Sequence, residues 1–179
     1  MSKILMVREV GDPVLYQRSK EVDVKALTQE DLADIASMKE TLLYTGGYGI
    51  AAPQVGISKR IVAIYVDKEN CGYLDCEDVP MTVMINPTWK KRSDRTYTEY
   101  EGCLSVPNIR GKVERYYDIT VTYYTETGEK VVKEVSGFTA RDIQHECDHL
   151  DGIVFLNRVT EKGYAIKENI SKFHLKEEK

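Results

Sequence analysis

The chain has no long apolar run. Its start, Met1-Ser-Lys-Ile-Leu-Met-Val-Arg8, carries four consecutive apolar residues after Lys3. That is too short for the apolar segment of a secretory signal, and no small-residue cleavage site follows it. No stretch approaches the roughly 20 apolar residues of a membrane-spanning helix. The expected setting is the cytoplasm, or an organelle matrix if a transit peptide has been removed, with no membrane partner. Basic charge is not in excess either. Lys and Arg number 25 against 29 Asp and Glu, a net charge of -4, which argues against a nucleic-acid binder, sequence-specific or general, that relies on a basic footprint. Internal repeats, low-complexity tracts and Pro/Gly/Ser linkers are also missing. The 179 residues are therefore expected to form a single catalytic domain, 1–179, with a helical tail from about 159. Cysteines number four, at 71, 76, 103 and 147. With no export signal, free thiols or metal ligands are a better reading for them than a disulfide framework.

What is present reads as an α+β chain. Residues 28–45 predict a helix, with Thr28 and Asp31 at its start and Leu32, Ile35, Ala36, Leu42 and Leu43 near one face, stopped by Gly46-Gly47. Strand-like runs follow at 60–66 and 81–86. The stretch 96–124 is rich in Tyr, Thr, Val and Ile and predicts further strands. Thr125-Glu-Thr-Gly128 predicts a turn into a strand over 130–135. A second helix is expected from about Thr139, with Thr139 and Asp142 as a cap pair and Asp151-Gly152 as its stop. A third, more polar helix is expected over much of 161–176.

The strongest chemical signal is His145-Glu-Cys-Asp-His149. Four residues apart on a helix, the two imidazoles lie about 40° from each other and one turn apart, so they can converge on one metal ion. Glu146 stands beside that face, where a carboxylate can take a proton from a water and pass it to a leaving amine. Cys147 points away and reads as a small buried thiol. Asp148 can pair with Arg115 or hold a ligand histidine. A catalytic site needs a third protein ligand and an open fourth position. Downstream, Glu161, Glu168 and His174 are available; upstream, Cys103 lies in Glu101-Gly-Cys-Leu-Ser-Val-Pro107. The helix pattern does not choose among them.

Three segments together resemble the signature motifs of the peptide deformylases, in the family's order: Gly47-Tyr-Gly-Ile-Ala-Ala-Pro-Gln54, Glu101-Gly-Cys-Leu-Ser105 and Gln144-His-Glu-Cys-Asp-His-Leu-Asp-Gly152. The resemblance implies mixed or antiparallel sheets packed around a central metal-binding helix. It implies Cys103, His145 and His149 as metal ligands and Glu146 as catalytic acid and base. Gln54 and the backbone N–H of Leu104 would hold the oxyanion. Gly49 would hydrogen-bond the substrate peptide, and Tyr48 and Arg110 would lie near the substrate. The implied substrate is the formyl-methionine N-terminus of nascent polypeptides, and the implied ion is Fe(II), although the same donors suit Zn, Ni or Co. Apart from the resemblance, the tail 158–179 carries six Lys/Arg against four Asp/Glu; its expected role is a solvated helix packed on the domain, with docking onto the ribosome as the alternative.

The chain also departs from the family. Asp142 stands where members often carry an aliphatic residue, which puts the pocket wall there in question. Cys71-Gly-Tyr-Leu-Asp-Cys76 is not a signature feature and reads as a surface loop rather than a disulfide or a metal site. Two rivals remain at this point. One is a zinc endopeptidase. The other is a non-catalytic metal-binding module closed by Cys71 or Cys76.

Overall fold

The structure, a computed structural model, describes residues 2–73 and 75–172. Eight strands and three α-helices follow in the order α1 (Gln29–Thr45), β1 (Gly49–Ala51), β2 (Ile61–Val66), β3 (Val79–Lys91), β4 (Thr96–Cys103), β5 (Val106–Tyr116), β6 (Asp118–Tyr124), β7 (Lys130–Ser136), α2 (Gly137–Leu150), β8 (Tyr164–Ile166) and α3 (Lys167–Lys172). The strands form two sheets with antiparallel ladders: a five-stranded sheet in the order β1-β2-β3-β6-β7 and a three-stranded sheet in the order β4-β5-β8. This is the expected α+β architecture.

Strand alternation builds the layers. In β2, Val62, Ile64 and Val66 face α2, packing with its Phe138, Ala140, Ile143, Cys147 and Leu150. Their neighbours Ile61 and Ala63 face the other way, onto Ile35, Met38 and Leu42 of α1. The alternation is the period-2 pattern of a strand covered on both faces. The opposite side of α2 meets the three-stranded sheet, so all 14 of its residues are buried. A polar helix with no solvent face must satisfy its polar groups internally. Gln144 does so by donating to the Tyr116 carbonyl and accepting from the Tyr116 N–H, at 2.8 and 3.1 Å.

The first helix starts as its sequence predicts. Thr28 and Asp31 form a reciprocal capping box, and Gly46 ends the helix in the left-handed region at φ 66°. Its buried face differs in detail. Met38 and Thr41 join Ile35 and Leu42 inside, whereas Leu32 and Leu43 are exposed. The 125–128 turn and the β6–β7 hairpin are present.

Three expectations need correction. The second helix starts at Gly137 with Ser136 as its N-cap, so Thr139 and Asp142 do not form a cap pair. Gly137 enters at φ 60°, a conformation that leaves the start to glycine. The tail is not one helix from 161: β8 pairs with β5, Ile166 opposite Ile109, before the short α3. The rest of the expected helix, with His174, lies outside the described residues. Cys71 and Cys76 are joined in a disulfide across a Cα–Cα distance of 6.4 Å. The intervening turn brings the two backbones within the reach such a bond needs.

Candidate metal centre and active site

Two elements deliver the three ligands. The turn of α2 that carries His145 and His149 faces the β4–β5 turn, which carries Cys103, and the ligand atoms of all three lie within 4.8 Å of one another. Cys103 Sγ is 3.1 Å from His149 Nε2. The two imidazole centroids are 5.0 Å apart. Burial alone would raise the Cys103 thiol, but the neighbouring His149 and His145 hold it well below its usual value. A thiolate and two imidazoles on a shared centre form the donor set of a tetrahedral transition-metal site with one position open. His149 Nδ1 is buried without a hydrogen-bond partner among the described residues, and its Nε2 is the nitrogen turned to Cys103. The residues fit a metal ion.

The ligands are held from behind by a buried ionic network. Glu101 Oε2 accepts from His145 Nδ1 at 2.9 Å, which leaves Nε2 free as a ligand nitrogen. Arg115 grips Glu101 with two bonds of 2.9 Å, and Arg141 adds one of 2.6 Å. Arg115 continues to Asp148 at 2.5 Å, where Arg158 also binds with two contacts of 2.5 and 2.6 Å. Burial would raise the Glu101 carboxyl, yet Arg115 and His145 hold it far below the ordinary carboxylate range. Asp148 therefore pairs with Arg115, as one of its two sequence readings had it, and Glu101 is the residue that orients a histidine. In the sequence, Glu101 stood out only as a neighbour of Cys103. Its partners are 14, 40 and 44 residues away, and no local spacing reveals them.

Glu146 is 2% exposed. Burial, reinforced by the negative charge of Asp142, Cys103 and Glu101, pushes its carboxyl well above the usual range, against the opposing pull of His145. Oε2 has no partner among the described residues. A carboxyl with a raised pKa beside a metal centre can accept a proton and return it. Gly49 packs directly against it. A Cβ on Gly49 would stand 2.6 Å from Glu146 Oε1 and 2.8 Å from Cγ, so glycine here is a requirement of space. Gly49→Ala is expected to displace the carboxyl and lower kcat by about 10²-fold, the scale of a 1 Å misplacement, with metal content unchanged. A variant within two-fold of wild type would contradict the close approach.

Gln54 is locked at both ends of its amide. Its Oε1 accepts from the Ala51 N–H at 2.8 Å, and Nε2 lies 3.3 Å from both Cys103 Sγ and Ser105 Oγ. The N-terminal segment ties its loop to the Cys103 turn: Arg8 N donates to the Gln54 carbonyl and Val10 N to that of Ser105. Leu104, Tyr48, Arg110, Gly49 and Gln54 line the same cavity as Cys103, His145 and Glu146, a space of about 260 Å³. Arg110 donates to the Ile109 carbonyl, and its guanidinium fills the space a side chain on Gly102 would need. The Tyr48 hydroxyl donates to the Asn70 carbonyl and accepts from Gly72 N. All the expected site residues except His149, which meets Cys103 from behind the wall, thus line one cavity. Asp142 reaches it too, 8% exposed, and burial pushes its carboxyl up to about 7. The pocket wall questioned at Asp142 is acidic.

Among the lining residues that were not expected are two aromatics, Tyr73 and Phe138. Tyr73, inside the Cys71–Cys76 loop, stacks on Phe138 at 4.6 Å, and both meet Tyr48 edge-on. The short disulfide loop gives no sign in sequence that its tyrosine packs 65 residues away.

The model of the polypeptide deformylase family matches residues 4–164. The chain belongs to that family. It is 39% identical over 155 residues to peptide deformylase 1 of Nitrosomonas europaea, covering 87% of each chain. It is 36% identical over 169 residues to the chloroplastic/mitochondrial peptide deformylase 1A of Arabidopsis thaliana, covering 89% of this chain and 63% of that relative's length. Among solved structures, the class I type b peptide deformylase of Acinetobacter baumannii bound to Met-Ala-Ser superposes with a TM-score of 0.82 at 40% identity, over 89% of this chain and all of that one. Among the described residues of this deformylase-family chain, no helix is long and apolar enough to cross a membrane.

Proposed function

We propose that this chain removes the formyl group from the N-terminal formyl-methionine of newly made polypeptides and releases formate. The observation that carries the reading is the convergence of Cys103, His145 and His149 on one centre, with buried Glu146 lining the same cavity as Cys103 and His145, in a chain of the deformylase family. Met-Ala-Ser, the peptide named with the A. baumannii relative, has the free methionine end that such a reaction would leave.

An ion held by Cys103, His145 and His149 would supply Lewis acidity, enough for a water to lose a proton near neutral pH. Glu146 takes that proton. The water oxygen bonds to the formyl carbon, and negative charge moves to the formyl oxygen. There the Gln54 amide N–H and the Leu104 backbone N–H donate to it, a preorganised pair aimed at charge that develops in the transition state. Glu146 then passes the proton to the departing nitrogen as the C–N bond breaks, leaving formate and a free amine. Gly49 sits on β1, an edge strand of the five-stranded sheet, where a substrate backbone can add as a further strand. Tyr48 and Arg110 flank the cavity that receives the substrate.

The donor set accepts Fe(II), Zn, Ni or Co, and Fe(II) is the ion we assign. Closure by a cysteine as fourth ligand loses support, because Cys71 and Cys76 are bonded to each other. The test is formate release from a formyl-Met peptide by anaerobically purified protein, with metal analysis of wild type and Cys103→Ser. Stoichiometric iron, formate release and loss of metal in the variant are expected. Cleavage of internal bonds in unformylated peptides without formate release would favour an endopeptidase and overturn the reading. Full metal content in Cys103→Ser would remove Cys103 from the ligand set.

A further inference from the structure

Phe138, Asp142 and Glu146 follow one another at four-residue intervals on α2. They lie along one face, each about 6 Å further along the axis, and all three line the active-site cavity. Glu146 marks the catalytic end. Phe138, packed with Tyr48 and Tyr73, marks an aromatic end. Asp142 stands between them, 8% exposed, with Oδ2 lacking any hydrogen-bond partner among the described residues. A buried polar atom without a partner is costly. One left in a cavity wall is explained when the partner arrives with the ligand. An isolated buried carboxylate costs far more than a carboxylic acid, so burial favours the form that faces the cavity with an O–H donor.

We propose that Asp142 is a specificity-determining residue whose carboxyl hydrogen-bonds the heteroatom of the substrate's first side chain. The proposal rests on the deformylase reading. With the scissile bond at Glu146, a methionine side chain that runs along α2 towards the aromatic end passes Asp142 at mid-length. Its sulfur, the third atom out from Cα, is the one acceptor it offers, and a weak one. The terminal methyl then meets Phe138, Tyr48 and Tyr73. A wall that is apolar throughout would treat methionine and its all-carbon isostere norleucine alike; a donor at mid-length would not.

The experiment compares kcat/KM for formyl-Met-Ala-Ser and formyl-norleucine-Ala-Ser, using metal-loaded wild type, Asp142→Leu and Asp142→Asn. Wild type is expected to prefer methionine by about 3- to 10-fold, the range of one neutral hydrogen bond. Asp142→Leu should bring the ratio close to one, and Asp142→Asn, which keeps an N–H donor, should retain the preference. A wild-type ratio near one overturns the proposal without any variant, so it stays testable even if a substitution impairs folding. An unchanged ratio in Asp142→Leu overturns it as well. Failure of the deformylase reading looks different: no formate from either peptide.

Discussion

Glu146→Ala is expected to lower kcat on a formyl-methionine peptide by about 10²- to 10⁴-fold, the usual contribution of a positioned acid–base group, with metal content unchanged. In the proposed reaction Glu146 serves both halves, first taking a proton from water and then returning it to nitrogen. Burial raises its pKa, which suits the second task, and Gly49 leaves it room to lie against β1. The nearest substitute, Asp142, is a full helical turn away and cannot reach the same water. Glu146→Asp keeps the acid but withdraws it by one methylene, so it should recover only part of the loss. Single-turnover rates with iron quantified in each sample check this. A Glu146→Ala enzyme within ten-fold of wild type would show that the proton moves by another route.

Glu101→Ala is expected to have the largest effect on stability, about 3–5 kcal/mol, the cost of leaving buried charge without its partner. Arg115 and Arg141, at 5% and 2% exposure, would both lose a carboxylate, and His145 would lose the acceptor that fixes its ring. For a chain of this size the fall in Tm is roughly 6–20 °C. Metal affinity should drop about 10- to 100-fold through the lost His145 contact. The stability that Glu101 contributes is present above the ordinary carboxylate pKa. It is lost as pH falls through the much lower value the carboxyl has in the fold, because its pKa is depressed on folding. A double variant, Glu101→Met with Arg115→Leu, separates the two causes. Removing both charges should restore part of the Tm that Glu101→Ala loses, while the metal-affinity defect persists. Equal Tm in the single and double variants would argue against the unpaired arginine as the origin.

Both experiments bear on parts of the site that differed in how readable they were. Glu146 was legible because its geometry is local: one turn of helix places it beside two histidines whatever surrounds the helix. Glu101 was not. Its partners come from β5 and α2, and the register that aligns Glu101 with Gly111 and sets Arg115 behind it is a property of the sheet. Asp142 was misread for a related reason. Thr139 followed by Asp142 has the spacing of a cap, but the chain enters the helix two residues earlier, at a left-handed Gly137 pinned by the Tyr117 carbonyl. That moves Asp142 from the helix end into its buried middle. The tail was misread because a polar, lysine-rich stretch looks helical by itself, whereas β8 is held by pairing with β5.

The sequence by itself determined the α1 capping box, the 125–128 turn, the pairing of His145 with His149 and, through three motifs in order, the deformylase family. These depend on contacts within a helical turn or on patterns written along the chain. Only the tertiary structure decided what holds His145 in place, that Tyr73 walls the cavity from a disulfide loop, and that the acid Asp142 lies in the cavity wall. Those contacts join segments far apart in the chain, and their distances follow from how two sheets close on one buried helix.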